Sequence, residues 1–148
     1  MSYSPLRNWA QLSPNGLALI TPNQQYTWSE LYQTALNYAG TLTQQDVKHG
    51  DVVTCVGKNS AELVVIYLAC MELGAICAIT MPQPQVALHD KLNTLYADNQ
   101  SQHLWSSNDQ DSAESISFNH TSIPLNLYVD SAYQVDAHAS IIFTSGSM

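Results

Sequence analysis

The sequence predicts an α/β fold: a mainly parallel sheet built from βαβ units, with flanking helices and a small antiparallel hairpin near the amino terminus. Two continuous apolar runs, at 52–56 and 75–80, are typical of strands that are covered on both faces. The segment between them has apolar residues around most of a helical circumference, which indicates a largely buried helix. Strand, helix and strand at this spacing require a parallel sheet with right-handed crossovers. A chain of 148 residues accommodates this arrangement as one domain.

The beginning of the chain predicts a short helix followed by the hairpin. A helix is expected over 5–12, where apolar residues recur at helical spacing. Two short strands are expected at 17–21 and 25–28, because turn-forming residues at 22–24 separate two apolar and aromatic stretches. This pair supplies the antiparallel element of the predicted fold.

Start and stop signals delimit the next two helices. Thr27 and Glu30 have the spacing of a capping box, in which each side chain accepts a hydrogen bond from the backbone amide of the other residue. Asn59, with Glu62 three residues later, is expected to open the second helix, and Gly74 is expected to close it as the C-cap.

The carboxyl-terminal half is less regular. A third helix is expected to begin near Pro84, and a third strand of the parallel sheet is expected at 102–105. The residues from about 106 to 123 are polar and acidic, so we expect a mobile loop there. Strand-like apolar runs return at 125–129 and 139–143.

Charge and composition exclude several classes of function. Four basic residues are scattered against twelve acidic ones, giving a formal net charge of −8, so nucleic acid and anionic membranes are not expected partners. Glu72 and Gly74 interrupt the apolar stretch at 63–81, which we interpret as a helix followed by a strand rather than a membrane span. The histidines lack metal-ligand spacing, and neither a metal site nor a catalytic residue is predicted.

Cysteine usage predicts a reducing compartment. The three cysteines lie in apolar runs without any CxxC pair, so we expect buried free thiols. The first residues lack the charged-then-apolar pattern of a secretory signal. Together these features predict a cytoplasmic protein.

The last residues contain the most informative motif. The strand-like run at 139–143 is followed at once by small hydroxyl residues around a glycine, in the order Thr144, Ser145, Gly146 and Ser147. Hydroxyl groups and close backbone amides at the end of a strand suit a phosphate group. The Walker pattern is absent, and no G-x-S-x-G elbow surrounds Ser145 to make it a nucleophile. Taken alone, the same tetrapeptide also fits a plain Ser/Gly-rich turn.

Five segments in a fixed order support the interpretation of residues 144–147 as a phosphate-binding motif. The chain resembles the amino-terminal part of the adenylate-forming enzymes, which comprise acyl-CoA synthetases, peptide-synthetase adenylation domains and luciferases. The opening and the compact interval before the loop are most similar to the o-succinylbenzoate–CoA ligases of menaquinone biosynthesis. The segments that resemble the family are Tyr26-Thr27-Trp28-Ser29-Glu30-Leu31, Gly50-Asp51-Val52-Val53, Asn59-Ser60-Ala61-Glu62, Leu73-Gly74-Ala75 and Phe143-Thr144-Ser145-Gly146-Ser147.

The resemblance implies a two-step ligase. ATP and a small-molecule carboxylate would give an acyl-adenylate and pyrophosphate, and the thiol of CoA would then displace AMP. The resemblance also implies that Mg²⁺ accompanies ATP and that Thr144, Ser145, Gly146 and Ser147 hold the ATP phosphates. Another carboxylate–CoA ligase, such as a fatty-acid or aryl-acid ligase, or an adenylation domain remains an alternative.

One departure from the family pattern shapes the expectation for this chain alone. The family loop continues Thr-Gly-x-Pro-Lys, whereas Met148 is the last residue here. We therefore expect residues 1–148 to be a truncated large domain without the carboxyl-terminal lid, inactive alone and without tightly bound nucleotide. An incomplete sheet is also expected to expose apolar surface and to self-associate, so a non-catalytic interaction module is the alternative from another class.

Overall fold

The structure is a computed structural model, and it describes residues 4–80, 102–106 and 140–142. The predicted third helix near Pro84, the predicted strand at 125–129 and the residues from 107 to 123 lie outside the described residues.

A short helix and a hairpin come first, as the sequence predicts. Helix α1 spans Pro5–Leu12 and begins at Ser4, whose hydroxyl oxygen accepts a hydrogen bond from the Arg7 amide at 3.1 Å. Strands β1 (Leu17–Ile20) and β2 (Gln25–Thr27) pair antiparallel. The hairpin prediction is confirmed, and each strand ends one residue earlier than expected.

Helix α2 spans Trp28–Gln44 and begins with the predicted capping box. Thr27 and Glu30 each accept a hydrogen bond from the backbone amide of the other residue. The amides of the N-cap and of the third helical residue are therefore satisfied by the two side chains of the capping box.

Helix α3 spans Ala61–Leu73, and its start corrects one prediction. The N-cap is Ser60 and not Asn59, because Ser60 has the extended backbone of a cap and its hydroxyl oxygen accepts from the Leu63 amide at 3.1 Å. Gly74 ends the helix with a left-handed φ of 82°, a conformation that glycine adopts without steric cost.

Four parallel strands form the main sheet, in the order β5-β3-β4-β6. They are β3 (Val52–Val56), β4 (Ile76–Thr80), β5 (Gln102–Ser106) and β6 (Ser140–Ile142). The predicted parallel sheet is confirmed. Ser106 was expected in the polar loop, but it ends β5 because it continues the register of β5 with β3.

The core lies between the sheet and helices α2 and α3. All five residues of β3 are buried, as expected for a strand covered on both faces. Helix α3 is largely buried, as the sequence predicts: Ile66 is fully buried, whereas Val64 is 38% exposed. The largest core cluster joins α2, α3 and the sheet, and it includes Leu42, Val53, Ile66, Cys70 and Trp105.

The apolar stretch after Ser60 divides into α3 and β4, as the sequence indicates. Within the described ranges, no helix combines the length and the hydropathy that crossing a membrane requires.

Candidate functional site

The carboxyl ends of the four parallel strands meet at one edge of the sheet. Val56, the last residue of β3, is level with Thr80 at the end of β4 and with Ser106 at the end of β5. Ile142, the last residue of β6, is level with Ile79. In open α/β sheets, ligands bind outside this edge, so it is the first place to look for a site.

The predicted phosphate-binding residues follow β6 in the sequence. Thr144, Ser145, Gly146 and Ser147 lie outside the described residues, so the structure does not show whether they come together. The strand that precedes them is described over Ser140–Ile142 and pairs with β4. Its direction is therefore fixed: the chain leaves β6 at the carboxyl edge of the sheet.

The turn between β3 and α3 lies at the same edge. The Gly57 amide donates to the Thr80 carbonyl at 3.1 Å, which fixes the turn against the end of β4. Lys58 follows immediately, and its side chain is exposed. In the sequence alone, Lys58 is one of four scattered basic residues. Its position directly after a buried strand was the signal that could have singled it out.

Helix α3 starts from this turn, and its first residues are engaged within the protein. Ser60 caps the Leu63 amide, and the Tyr38 hydroxyl donates to a Glu62 carboxylate oxygen at 3.4 Å. Burial, together with the charge of Glu62, raises the pKa of Tyr38 to about 12, so Tyr38 remains a neutral donor. The negative charge of Glu62 offsets the positive end of the helix dipole at this point.

A groove of about 700 Å³ separates the hairpin from the start of α3. It is lined by residues 19–24 and 59–64, including the exposed side chains of Ile20 and Val64. Glu62 is the ionisable residue in this lining. An apolar groove with one carboxylate does not suit a polyphosphate, so it is not the predicted nucleotide site.

Among the described residues, one histidine lies close to a carboxylate, near the opposite edge of the sheet. His103 Nε2 is 3.0 Å from Asp51 Oδ2, which also accepts a hydrogen bond from the Lys48 amide at 2.9 Å. His103 is buried and is opposite Val53 in the sheet. The pair therefore connects β5 to the turn before β3, and we assign it a structural role.

The three thiols are buried and free, as the sequence predicts. Cys55 Sγ and Cys77 Sγ are 3.7 Å apart without a covalent bond. Hydrogen bonding to Cys77 and burial raise the pKa of both Cys55 and Cys70. In the described part of the chain, no group of three or more side chains is arranged to hold a metal ion.

Comparison with known proteins gives a family match over almost the whole chain. A protein-family model described as AMP-binding enzyme matches residues 6–148. The 2-succinylbenzoate–CoA ligase of Bacillus subtilis is 27% identical over an alignment of 155 positions, which covers 95% of this chain and 31% of that protein. The chain therefore spans about a third of the length of this relative.

Solved structures agree with this match. The o-succinylbenzoate CoA synthetase of Bacillus subtilis, in complex with the acyl-adenylate intermediate OSB-AMP, has a TM-score of 0.74 and 27% identity. The similarity covers 96% of this chain and 39% of that one. The same enzyme in complex with ATP and magnesium ion has a TM-score of 0.61 and 26% identity, over 90% of this chain and 36% of that one.

Proposed function

Because the chain belongs to the AMP-binding enzymes, we propose that it supplies the first part of the nucleotide-binding domain of an ATP-dependent acid–CoA ligase. The relatives named above support this assignment, since they are ligases of this type and match the chain over almost its entire length. The register of β6 against β4 is the observation that carries the proposal. It directs the chain out of the sheet at the carboxyl edge, where ligands bind in such sheets, and the proposed phosphate-binding residues follow in the sequence.

The proposed reaction has two steps. A carboxylate oxygen attacks the α-phosphorus of ATP, the bond to the β-phosphate oxygen breaks, and pyrophosphate leaves. The sulfur of CoA then attacks the acyl carbon, and AMP leaves with the electron pair of the broken acyl–oxygen bond. Both steps build negative charge on phosphate oxygens, so the main task of the protein is to position and neutralise the polyphosphate.

Thr144, Ser145, Gly146 and Ser147 are the proposed phosphate-binding residues. Three hydroxyl groups donate to phosphate oxygens, and Gly146 allows the backbone to approach closely. Magnesium arrives on ATP as part of the substrate and shields the charge of its phosphates. Lys58, exposed at the same edge of the sheet, adds positive charge to the region through which the polyphosphate enters.

The proposed acid is o-succinylbenzoate. Support for this acid comes from the ligases that match this chain over almost its whole length, since they are named for it. Another carboxylate–CoA ligase or an adenylation domain is the alternative, and the acid dependence of the reaction distinguishes them. We expect the 148-residue chain alone to bind ATP weakly and to lack ligase activity, because it corresponds to about a third of its relatives.

We also propose that the protein works in the cytoplasm. Two buried sulfur atoms 3.7 Å apart that remain unbonded fit a reducing compartment, where thiols are kept from pairing.

A chimeric ligase tests the proposal. In it, this chain replaces the matching segment of the Bacillus subtilis 2-succinylbenzoate–CoA ligase, and exchange of labelled pyrophosphate into ATP is measured with and without o-succinylbenzoate. We expect exchange that depends on the acid. Gly146→Val is expected to reduce it by about 100-fold or more, the scale of losing a group that stabilises the transition state. Thr43→Ala, an exposed change on α2, is the control and should leave exchange unaltered. A folded chimera that lacks exchange, or that tolerates Gly146→Val, would contradict the proposal.

A further inference from the structure

The turn between α1 and β1 is attached to the beginning of α2. The Trp28 amide donates a hydrogen bond to the Gly16 carbonyl at 3.0 Å. The Ser29 amide donates to the Pro14 carbonyl at 3.2 Å. Trp28 and Ser29 are the first two residues of α2, and amides at these positions have no acceptor within the helix itself. The turn supplies both acceptors, one on each side of Asn15, so the start of α2 depends on the spacing of these two carbonyls.

The same turn contains the one asparagine in the sequence that a glycine follows. Asn15 is exposed, so water and base reach its side chain. Gly16 has no side chain that could shield its backbone nitrogen from the carboxamide of Asn15. A Cβ atom added to Gly16 would lie 2.5 Å from Ser13 Oγ, so a larger residue would require Ser13 to move. The turn therefore favours the residue that leaves Asn15 open to attack by the next nitrogen of the backbone.

We propose that Asn15 is a deamidation site, and that its conversion to isoaspartate releases the start of α2 from the turn between α1 and β1. The deprotonated Gly16 nitrogen attacks Asn15 Cγ, the bond from Cγ to Nδ2 breaks, and ammonia leaves. The product is a cyclic succinimide that joins Cγ to the backbone nitrogen. Water then opens the ring at one of its two carbonyl carbons. Opening at Cγ gives aspartate, and opening at the backbone carbonyl carbon gives isoaspartate.

Isoaspartate lengthens the backbone inside the turn. In this product the chain runs from the Cα atom of residue 15 through its Cβ and Cγ atoms to the Gly16 nitrogen, which inserts one methylene group. The Pro14 and Gly16 carbonyls lie on either side of the insertion, whereas the two amides that donate to them belong to one helical turn. The insertion changes the spacing of the carbonyls but not that of the amides. At least one of Trp28 and Ser29 therefore loses its acceptor.

The folded turn controls when the reaction occurs. The Gly16 amide donates to the Ser13 carbonyl at 3.0 Å. Because the proton that this nitrogen must lose is engaged in that hydrogen bond, ring closure requires local opening of the turn. Modification then removes a contact that holds the turn closed, so a modified molecule opens more readily than an unmodified one. The fraction of isoaspartate at residue 15 thus increases with the time that the protein has spent with this turn open.

The first experiment incubates the 148-residue chain at pH 8.5 and measures aspartate and isoaspartate at each asparagine by peptide mapping with mass spectrometry. Asn23, in the exposed turn between β1 and β2, is the internal control. The Gln24 amide that follows it is also engaged, since it donates to Thr21 Oγ1 at 3.0 Å, but the Gln24 side chain hinders ring closure. We expect isoaspartate at residue 15 well before residue 23, and none at residue 15 in Asn15→Gln, whose longer side chain cyclises far more slowly. Equal conversion at the two asparagines, or no conversion of Asn15, overturns the proposal.

Amide hydrogen exchange of the isolated isoaspartyl form tests the release of α2. We expect the amide of Trp28, of Ser29 or of both to exchange at least about fivefold faster than in the unmodified protein, the scale of losing one hydrogen bond. Asn15→Asp has the same added charge on a backbone of ordinary length, and it should exchange as the unmodified protein does. Far-UV circular dichroism checks that all three proteins are folded. Unchanged exchange in the isoaspartyl form, or equally fast exchange in Asn15→Asp, would overturn the proposed release.

Discussion

Thr27 and Glu30 exchange hydrogen bonds at the start of α2: the Glu30 amide donates to Thr27 Oγ1 at 3.1 Å, and the Thr27 amide donates to Glu30 Oε1 at 2.9 Å. We predict that Thr27→Ala lowers the free energy of unfolding by about 1 kcal/mol, because one orphan amide loses its acceptor. Urea denaturation measures the effect. Thr43→Ala, on an exposed position of the same helix, is the control and should change the stability by less than about 0.5 kcal/mol.

The same pair predicts a dependence on pH. The hydrogen bonds from the backbone amide and the side chain of Thr27 lower the pKa of Glu30 below its ordinary value of 4.5. The contribution of Glu30 to stability is therefore present above pH 4.5 and is lost as the pH falls through the lowered value. Glu30→Gln should remove this contribution. Thermal denaturation of both proteins from pH 7 to pH 3 checks it, and parallel curves over that range would refute it.

Helix α3 offers a buried and an exposed position two residues apart. Ile66 is fully buried in the main core cluster, whereas Val64 is 38% exposed. We predict that Ile66→Ala costs about 2–5 kcal/mol of unfolding free energy, since it removes packed atoms and leaves a cavity. Val64→Ala should cost less than about 1 kcal/mol, because its side chain is partly in water. Similar losses in the two variants would show that α3 is rotated from the position described.

Two exposed lysines test the electrostatics of the proposed nucleotide site. Lys58 follows β3 at the carboxyl edge, and Lys48 precedes β3 near the opposite edge. In the chimeric ligase we predict that Lys58→Ala weakens ATP binding by about 2- to 5-fold at low salt, whereas Lys48→Ala leaves it unchanged. Isothermal titration calorimetry measures both. Equal effects of the two substitutions would indicate a general charge effect rather than a site at the carboxyl edge.

The described surface also predicts self-association of the 148-residue chain. Large apolar side chains are more than half exposed on α1 and β1, namely Leu12, Leu17 and Ile20. Exposed large apolar groups favour contacts between copies. Sedimentation velocity at increasing protein concentration should show a shift from monomer to larger species, reduced by Ile20→Lys. A single monomeric species at tens of micromolar would refute this prediction.

Most of the fold was readable from local patterns. The hairpin, the capping box of α2, the stop at Gly74 and the buried strands depend on residues close together in the sequence, so their signals are local. The predicted start of α3 was wrong by one residue, because Asn and Ser are both favourable N-cap residues and Asn59 and Ser60 are adjacent. The backbone conformation, which the sequence does not display, decides between them.

The features that escaped prediction depend on distant partners. Glu72 interrupts an apolar stretch and suggests a break, yet it is only 1% exposed; burial raises its pKa, and Ser4 and Arg7, which are distant in the sequence, oppose that rise. Lys58 directly follows a predicted buried strand, and the sheet order shows that this end of the strand lies at the carboxyl edge. The phosphate-binding motif at 144–147 was found from its residue types and from the family resemblance, and its role remains a prediction.

The pairing of β6 with β4 also bears on how the protein is made. Cys77 and Ser140 are register partners although 63 residues separate them, whereas β3 and β4 are joined through a single helix. During translation, β3, α3 and β4 can assemble while the last strand is still inside the ribosome. Strand β6 therefore joins the sheet after the other described strands, and a nascent chain stalled before that event would offer newly formed sheet surface to chaperones.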